Sequence, residues 1–196
     1  MESINLYQAD ESKSMVDSIK KLFGETHRVL SVHSMLNALA MCALQSMGYN
    51  GFKRWHRYRS GQFHAMELCL ANELFDCFRI KAEFKSYDLS YAPKSMEEHL
   101  KAWEGAILEA IKELGELQKK FVELTGGENR VIGKAVKKLS KDYKRVGRYR
   151  MRFEESDWLA LDMHTVDREL HCKFKEKEER GKSWNGLMDA MTRTRF

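Results

Sequence analysis

Basic residues are concentrated in one stretch of the chain, from Arg130 to Arg152. Ten residues of this stretch are lysine or arginine and one, Asp142, is acidic, so it carries a net charge of +9, whereas the whole 196-residue chain carries +5. On a helix, most of these cations form a stripe opposite the apolar side. Such a stripe attracts phosphate backbones or acidic protein surfaces, and the affinity falls as salt is added. The residues expected to contact an anionic partner are Arg130, Lys134, Lys137, Lys138, Lys141, Lys144, Arg145, Arg148 and Arg152.

A second basic cluster lies between residues 53 and 59, where cations alternate with aromatic residues and a histidine (KRWHRYR). Lys53, Arg54 and Arg57 are its candidate anion contacts, and His56 and Arg59 are counted in the same cluster. The alternative for both clusters is a solvated helix face without a partner. No motif supports sequence-specific readout of nucleic acid, and a P-loop and G-x-G-x-x-G are both absent from the sequence. The sequence therefore predicts an anionic partner, either a nucleic acid or an acidic protein.

Residues that bind metals or act as nucleophiles are scattered along the chain. His64 and Glu67 are three residues apart, so a helix places them on one face as a candidate metal pair. A histidine inside a bundle is, however, more often a hydrogen-bonded core residue than a ligand. The chain has four cysteines, Cys42, Cys69, Cys77 and Cys172. They lack C-x-x-C spacing, so we expect buried free thiols in a reducing compartment. No helical neighbour supplies Cys69 or Cys77 with an activating histidine, so we expect no nucleophilic catalysis.

The elements that position these residues are predicted to be helices. The chain contains only one proline, Pro93, and its apolar residues recur every three or four positions. Ser95 and Glu98 form a predicted capping box that opens the most regular segment, whose nine seam positions are all apolar. The predicted helices are residues 13–47, 52–82, 95–124, 129–154 and 155–179, followed by a basic tail. Short turns at residues 48–51 and 126–127, with a long nonhelical connection at 83–94 between them, predict two hairpins of a four-helix bundle.

Short motifs in this arrangement resemble those of the ferritin superfamily. Gly51-Phe52-Lys53-Arg54-Trp55, followed by His64-Ala65, is similar to the G-F-x-x-W and E-x-x-H-A stretches of the second ferritin helix. Trp103-Glu104 is similar to the F-E element of the third helix. The resemblance implies an all-α, ferritin-like four-helix bundle with a long crossover between the second and third helices, plus a C-terminal helix and a basic tail. The predicted domains are a bundle at 13–154, a C-terminal helix at 155–180 and a flexible tail at 181–196.

The same resemblance implies a di-iron centre, but the positions that match its ligands carry other residues. Carboxylates and a histidine are needed because hard oxygen donors and imidazole bind iron while leaving coordination positions open. The matching positions hold Ser31 on the first helix and Ala110 on the third. On the second helix one alignment gives Gly61 with His64, which matches the ligand histidine, and the other gives Phe63 with Met66. We therefore expect no cofactor and no iron oxidation; the alternative is an iron-storing or iron-oxidising protein with an atypical site, for which His64 and Glu67 are the candidates.

The first helix raises the question of a membrane. Residues 29–52 contain no formally charged side chain, and a segment of this length could cross a bilayer. The segment also contains the polar residues His33, Asn37 and Gln45, which disfavour insertion. The N-terminus is acidic and polar and does not resemble a secretory signal. We expect a cytoplasmic protein without a membrane partner. Because residues 29–44 are apolar on more faces than three bundle neighbours cover, we also expect a homo-oligomer, at least a dimer.

Overall fold

The structure is a computed structural model that describes residues 3–79, 87–155, 163–177 and 179–180. Its helices are α1 (Ser3–Ser46), α2 (Asn50–Phe78), α3 (Met96–Thr125) and α4 (Arg130–Glu155), together with α5 at residues 163–177. The described ranges contain helices and no strand, which confirms the all-α prediction. Residues 156–162, where the sequence predicts the start of the fifth helix, and the predicted tail at 181–196 lie outside the described residues.

The four long helices form two antiparallel hairpins. α1 packs on α2, α3 packs on α4, and the hairpins meet through α1 with α3 and α2 with α4. The antiparallel direction is visible in paired contacts: Ser34 of α1 bonds to Ser60 of α2, and Asn37, further along α1, bonds to His56, which comes earlier in α2. Residues 87–95, the described part of the connection between the hairpins, are nonhelical. This is the predicted bundle with a crossover between its second and third helices.

The predicted start and end of α3 are confirmed in detail. The Ser95 hydroxyl accepts a hydrogen bond from the Glu98 backbone N–H at 3.2 Å, and the Glu98 carboxylate accepts one from the backbone N–H of Lys94 at 2.8 Å. Gly126 ends the helix in the left-handed conformation, with φ at +70°, where a residue with a Cβ is strained. These groups satisfy backbone donors and acceptors that a helix terminus leaves without partners.

Gly51 has a different role from the predicted one. The sequence assigns it to the turn between α1 and α2, but α2 already begins at Asn50, and Gly48, with φ at +81°, makes the reversal. A Cβ on Gly51 would lie 1.7 Å from the backbone oxygen of Asp167 in α5. The Asp167 carboxylate also accepts the backbone N–H groups of Gly51 and Phe52 at 2.8 and 2.9 Å, which caps α2 from another helix. Gly51 therefore allows α5 to dock on the bundle.

The core follows the predicted apolar seam. Eight of the nine seam positions of α3 are buried and the last, Leu124, is half-buried. Trp55 and Trp103 are the largest fully buried side chains. α5 adds Met163, Val166, Leu170 and Phe174 to this core. The C-terminal helix is thus packed against the bundle.

The cysteine prediction is half right. All four cysteines are free, but all are exposed rather than buried. Cys42 lies on α1, Cys69 and Cys77 on α2, and Cys172 on α5, each on the side of its helix that no other described helix covers. Apolar periodicity in the sequence identifies the helix but does not show which side of it faces the core.

α1 also contains the segment that raised the membrane question. Ser14–Ser46 is the one helical segment in the described residues that is long and apolar enough to cross a bilayer. A third of its most apolar window is buried inside the bundle, and a core helix gives the same pattern. Its polar residues Thr26, His33 and Asn37 are buried among other helices, so the bundle itself accounts for the composition of α1.

Candidate functional site

α4 presents a line of cations to solvent. Because α4 turns its apolar residues toward the core, the cations on the other side remain exposed along about 33 Å of helix at 1.5 Å per residue. The exposed basic residues, which we call the α4 basic face, are Arg130, Lys134, Lys137, Lys141, Lys144, Arg148 and Arg152. From residue 130 to 152 the only large apolar side chain exposed beside them is Met151. This surface is uniformly cationic and otherwise polar.

Two predicted members of the stripe, Lys138 and Arg145, do not belong to this face. Both are half-buried on the side of α4 that meets α2 and α5. Arg145 lies over the Trp55 ring, 5.5 Å from its centroid, and reaches the buried Asp142 carboxylate at 3.4 Å. Burial, together with the nearby Arg59, lowers the pKa of the Lys138 ammonium. The stripe is therefore divided into an exposed face and an internal pair, because α2 packs against one edge of α4.

The internal pair belongs to an ion network centred on Asp142. Two nitrogens of the Arg59 guanidinium each lie 2.6 Å from an Asp142 carboxylate oxygen, and the side chains of the two residues are only 11% and 4% exposed. This paired geometry joins α2 to α4. Arg150 similarly joins α4 to Glu104 of α3 at 2.8 Å. The sequence counts Arg59 in the second basic cluster, but in the structure its charge is used inside the bundle.

The remaining cations of the second cluster lie at the start of α2. Arg57 is exposed, while Lys53 and Arg54 are half-buried. They line a cavity of about 110 Å³ together with Asn50 and with His171 of α5. α2 meets α4 through Trp55 and Arg59, which lie about 200° around the helix from Lys53 and Arg57. The structure therefore places the two basic clusters on two separate surfaces.

His56, the remaining member of the predicted second cluster, is fully buried and belongs to a hydrogen-bonded chain in the bundle centre. Its Nδ1 lies 2.9 Å from the Asn37 Oδ1, and its Nε2 lies 3.3 Å from the Nε2 of His99. The Tyr91 hydroxyl lies 2.8 Å from the His99 Nδ1. We call this set, with His33, the buried histidine network. His56 was grouped with surface cations because they are adjacent in sequence; its position four residues after Phe52 and seven before Phe63 places it on the apolar seam.

The hydrogen bonds define the protonation of this network. The Asn37 Nδ2 donates to the carbonyl of His33, so its Oδ1 accepts from a protonated His56 Nδ1. The His56 Nε2 then accepts from His99, and the His99 Nδ1 accepts from the Tyr91 hydroxyl. Burial lowers the pKa of His33 to about 3 and that of His99 to about 4, and it lowers the pKa of His56 well below its usual value. All three histidines are therefore neutral near pH 7.

The residues that the sequence resemblance assigns to ferritin iron-ligand positions lie in different surroundings in the structure. Phe63, Met66 and Ala110 are buried, while Gly61 is exposed and Ser31 half-buried. The Phe63 ring packs edge-on against His33, with centroids 4.7 Å apart. These side chains supply no carboxylate to hold iron. In the described ranges, moreover, no group of three or more histidine, cysteine, aspartate or glutamate residues is arranged to hold a metal ion.

The alternative metal pair, His64 and Glu67, does come together. The His64 Nδ1 lies 2.9 Å from the Glu67 Oε2, with the histidine exposed and the glutamate buried. The other carboxylate oxygen, Oε1, is buried and accepts no hydrogen bond from a described residue. Burial lowers the pKa of His27 on α1, and the nearby Glu67 carboxylate opposes part of this lowering. Two donors joined to each other by a hydrogen bond are fewer than a closed metal site requires.

Comparison with known proteins yields similarity at the level of structure alone. No family model matches the chain, and no curated protein matches it. An open-pore ferritin from Archaeoglobus fulgidus matches with a TM-score of 0.60 and 13% identity, over 81% of this chain and 94% of that one. A closed form engineered from the Archaeoglobus fulgidus ferritin matches with a TM-score of 0.59 and 14% identity, over 77% and 94%. A humanized archaeal ferritin gives 0.59 and 13%, over 81% and 96%. The chain therefore has a ferritin-like fold.

Proposed function

We propose that this ferritin-like bundle is a nucleic-acid-binding protein that self-associates and has no working di-iron centre. The observation that carries the proposal is the α4 basic face, where seven cations are exposed to solvent. Each cation that contacts a phosphate releases condensed counterions, so such a line favours a polyanion. Arg59 and Arg145 differ from these residues, because the bundle draws their charges toward the buried Asp142.

Nucleic acid fits the α4 basic face better than an acidic protein does. Protein–protein interfaces have a desolvated centre rich in aromatic and other apolar side chains, with charges at the rim. The α4 basic face offers a single large apolar residue, Met151, beside its cations. Because the cations follow one straight helix and no base-reading motif accompanies them, we expect contacts to the backbone and little preference for sequence.

Binding through this face is tested by reversing its charge. The variant Lys137→Glu, Lys141→Glu, Lys144→Glu, Arg148→Glu changes four exposed residues and leaves Lys138 and Arg145 in place. The matched control reverses four exposed lysines of α3, Lys101, Lys112, Lys119 and Lys120, for the same change in net charge. Fluorescence anisotropy with a labelled DNA duplex and a single-stranded RNA measures affinity. With six phosphate contacts, the parent weakens about a thousandfold from low to moderate salt, and the α4 variant loses nearly all binding.

Three results would contradict this assignment. One is a parent protein that binds neither nucleic acid; another is an equal loss of affinity in the α3 control, which would mean that net charge alone acts. The third is a shallow salt dependence combined with binding to acidic proteins, which would favour a protein partner for the same face.

Self-association is supported by exposed apolar residues on the α1–α2 side of the bundle. On α2, Ala65, Leu68, Cys69 and Phe75 are exposed and recur at helical spacing, and Leu68 and Phe75 are 45% and 43% exposed. On α1, apolar residues such as Met35 and Leu39 are half-buried rather than covered. A second copy would remove this apolar surface from water. Sedimentation of the parent beside Leu68→Lys should give a mass above one chain for the parent and a shift toward the monomer for the variant.

Iron handling is the second candidate function, because solved structures that share this fold are ferritins. The residues that it would use are His64 and Glu67, the one acid–histidine pair near the bundle core that the sequence singles out. Measuring ferrous-iron oxidation in the parent, in the α4 reversal and in Glu67→Gln separates the two candidates. Turnover that survives the α4 reversal but not Glu67→Gln, together with no nucleic-acid binding in the parent, would favour iron and reject our proposal.

A further inference from the structure

The cavity at the start of α2 is a site separate from the α4 basic face. Among the described residues its lining consists of Asn50, Lys53, Arg54, Arg57 and His171, which include three cations and no acid, within a volume of about 110 Å³. Lys53 and Arg57 are four residues apart on α2, and like charges at this spacing destabilise a helix slightly. Neither side chain forms a hydrogen bond or ion pair within the described part of the chain. The bundle itself therefore gives no structural reason for this pair.

The adjacent α2 terminus is already occupied. The backbone N–H groups of Gly51 and Phe52 both donate to Asp167, so the helix terminus is not available to a ligand. An anion in the cavity would instead be held by side chains: the Lys53 ammonium and the Arg57 guanidinium, with the Asn50 amide and the His171 ring beside them. Guanidinium groups match the geometry of phosphate oxygens, and hydrogen bonds between ionised groups are stronger than neutral ones.

A second concavity adjoins the first, because Lys53 and Arg57 line both. It has a volume of about 390 Å³, which lies within the range of small-molecule sites. Its other lining residues are Ala38, Met41, Gln45 and Ser60, which combine apolar surface with an amide and a hydroxyl. The Ser60 hydroxyl already donates to the Ser34 carbonyl, which leaves the Gln45 amide as the group best able to orient a ligand.

We propose that these two concavities together bind an organic phosphomonoester. The phosphate lies in the cationic cavity beneath α5, and the organic body lies in the wider groove between α1 and α2. Lys53 and Arg57 stand at the boundary and contact the phosphate, while Met41 and Ala38 pack against the body. The exposed apolar residues Leu68 and Phe75 are 11 and 18 residues beyond Arg57, about 16 and 27 Å along the helix. A second copy seated on them leaves the phosphate cavity open.

Titration calorimetry on the full chain tests the proposal with adenosine 5′-monophosphate, inorganic phosphate and adenosine. We expect the monophosphate to bind about tenfold or more tightly than inorganic phosphate, because the groove adds contacts, and adenosine alone to bind weakest. The double variant Lys53→Ala, Arg57→Ala should lower the monophosphate affinity at least about tenfold. Its matched control, Lys112→Ala, Lys119→Ala on the exposed side of α3, should leave that affinity unchanged.

A third variant separates the two concavities. Ala38→Phe fills the groove, so the monophosphate should lose its advantage over inorganic phosphate while the affinity for phosphate itself stays the same; His171→Gln tests the cavity alone if Ala38→Phe does not fold. No heat of binding for the monophosphate, equal affinity for the monophosphate and phosphate in the parent, or an equal loss in the α3 control would each overturn the proposal. Because nucleic-acid binding is measured with the α4 reversal, failure of either assignment is distinguishable from failure of the other.

Discussion

The α4 basic face holds its polar groups in water, whereas the buried histidine network holds its polar groups in the bundle core. On α4, seven cations face water. In the bundle centre, His33, His56 and His99 are fully or almost fully buried and are kept neutral, and each link of the chain from Asn37 to Tyr91 has a donor and an acceptor. Buried polar groups must be satisfied or they destabilise the fold, whereas solvated charges need no partner. The solvated cations are therefore better candidates for binding than the buried histidines, whose hydrogen bonds the fold requires.

Acid should disrupt the buried network most strongly. The pKa values of His33, His56 and His99 are lower in the folded chain than the usual value of 6.5, so the unfolded chain binds more protons and folding stability falls as pH drops below about 6.5. Each histidine contributes up to about 1.4 kcal/mol per pH unit, so three contribute about 5 kcal/mol between pH 6.5 and 5. Urea unfolding at a series of pH values measures the loss, which is comparable with the whole stability of a domain.

The control for this prediction is the range above about pH 8, where the same three groups are neutral in both the folded and the unfolded chain. In that range the titration of these histidines should cause no change of the free energy of unfolding with pH. A free energy that is also constant from pH 6.5 to 5 would show that the network does not hold its histidines neutral.

The next largest effect should come from removing a charge that the fold uses. Arg59→Met leaves Asp142 buried without its bidentate partner, and breaking a buried ion pair from one side costs about 3–5 kcal/mol. Arg57→Met, two residues away on the exposed side of α2, should change stability by less than about 0.5 kcal/mol. Equal unfolding midpoints for the two variants would contradict the division between internal and surface cations.

The same division explains what could and could not be predicted from sequence. The α3 seam was predictable because every third or fourth residue is apolar, and its start and end have characteristic capping residues. His56, Arg59 and Arg145 were misplaced because charge along the sequence does not reveal where a neighbouring helix will cover it. For Arg145 that neighbour is α2, through Trp55. The docking of α5 likewise depends on a contact between Asp167 and Gly51, 116 residues apart. No local pattern announces such a contact, so the cavity containing His171 could not be predicted either.

A substitution at the contact between α2 and α5 should detach α5 while the four-helix bundle stays folded. Gly51→Ala places a Cβ 1.7 Å from the Asp167 backbone oxygen, so α5 must shift, at a cost of about 1–3 kcal/mol. Amide hydrogen exchange of residues 163–177 should become faster while exchange in α3 stays slow. Gly61→Ala, where a Cβ meets nothing within 4 Å, is the matched control on the same helix. Unchanged exchange in α5 would show that Gly51 is not required for its docking.

The smallest effect concerns two arginines of one helix, three residues apart. Arg148 is exposed on the α4 basic face, whereas Arg145 is half-buried beside Trp55 and Asp142. If Arg148 contacts a phosphate, Arg148→Gln lowers the slope of log affinity against log salt by about 0.9, which corresponds to a loss of about eightfold at 0.1 M salt relative to 1 M. Stability should stay within about 0.5 kcal/mol of the parent.

Arg145→Gln should give the reverse: an unchanged salt slope and a measurable loss of stability, because the Asp142 network loses a cation. Salt titrations of nucleic-acid binding, paired with urea unfolding of both variants, measure the two quantities. A salt slope that changes equally in the two variants would mean that Trp55 and Asp142 do not keep Arg145 from the partner and that the predicted stripe is continuous after all.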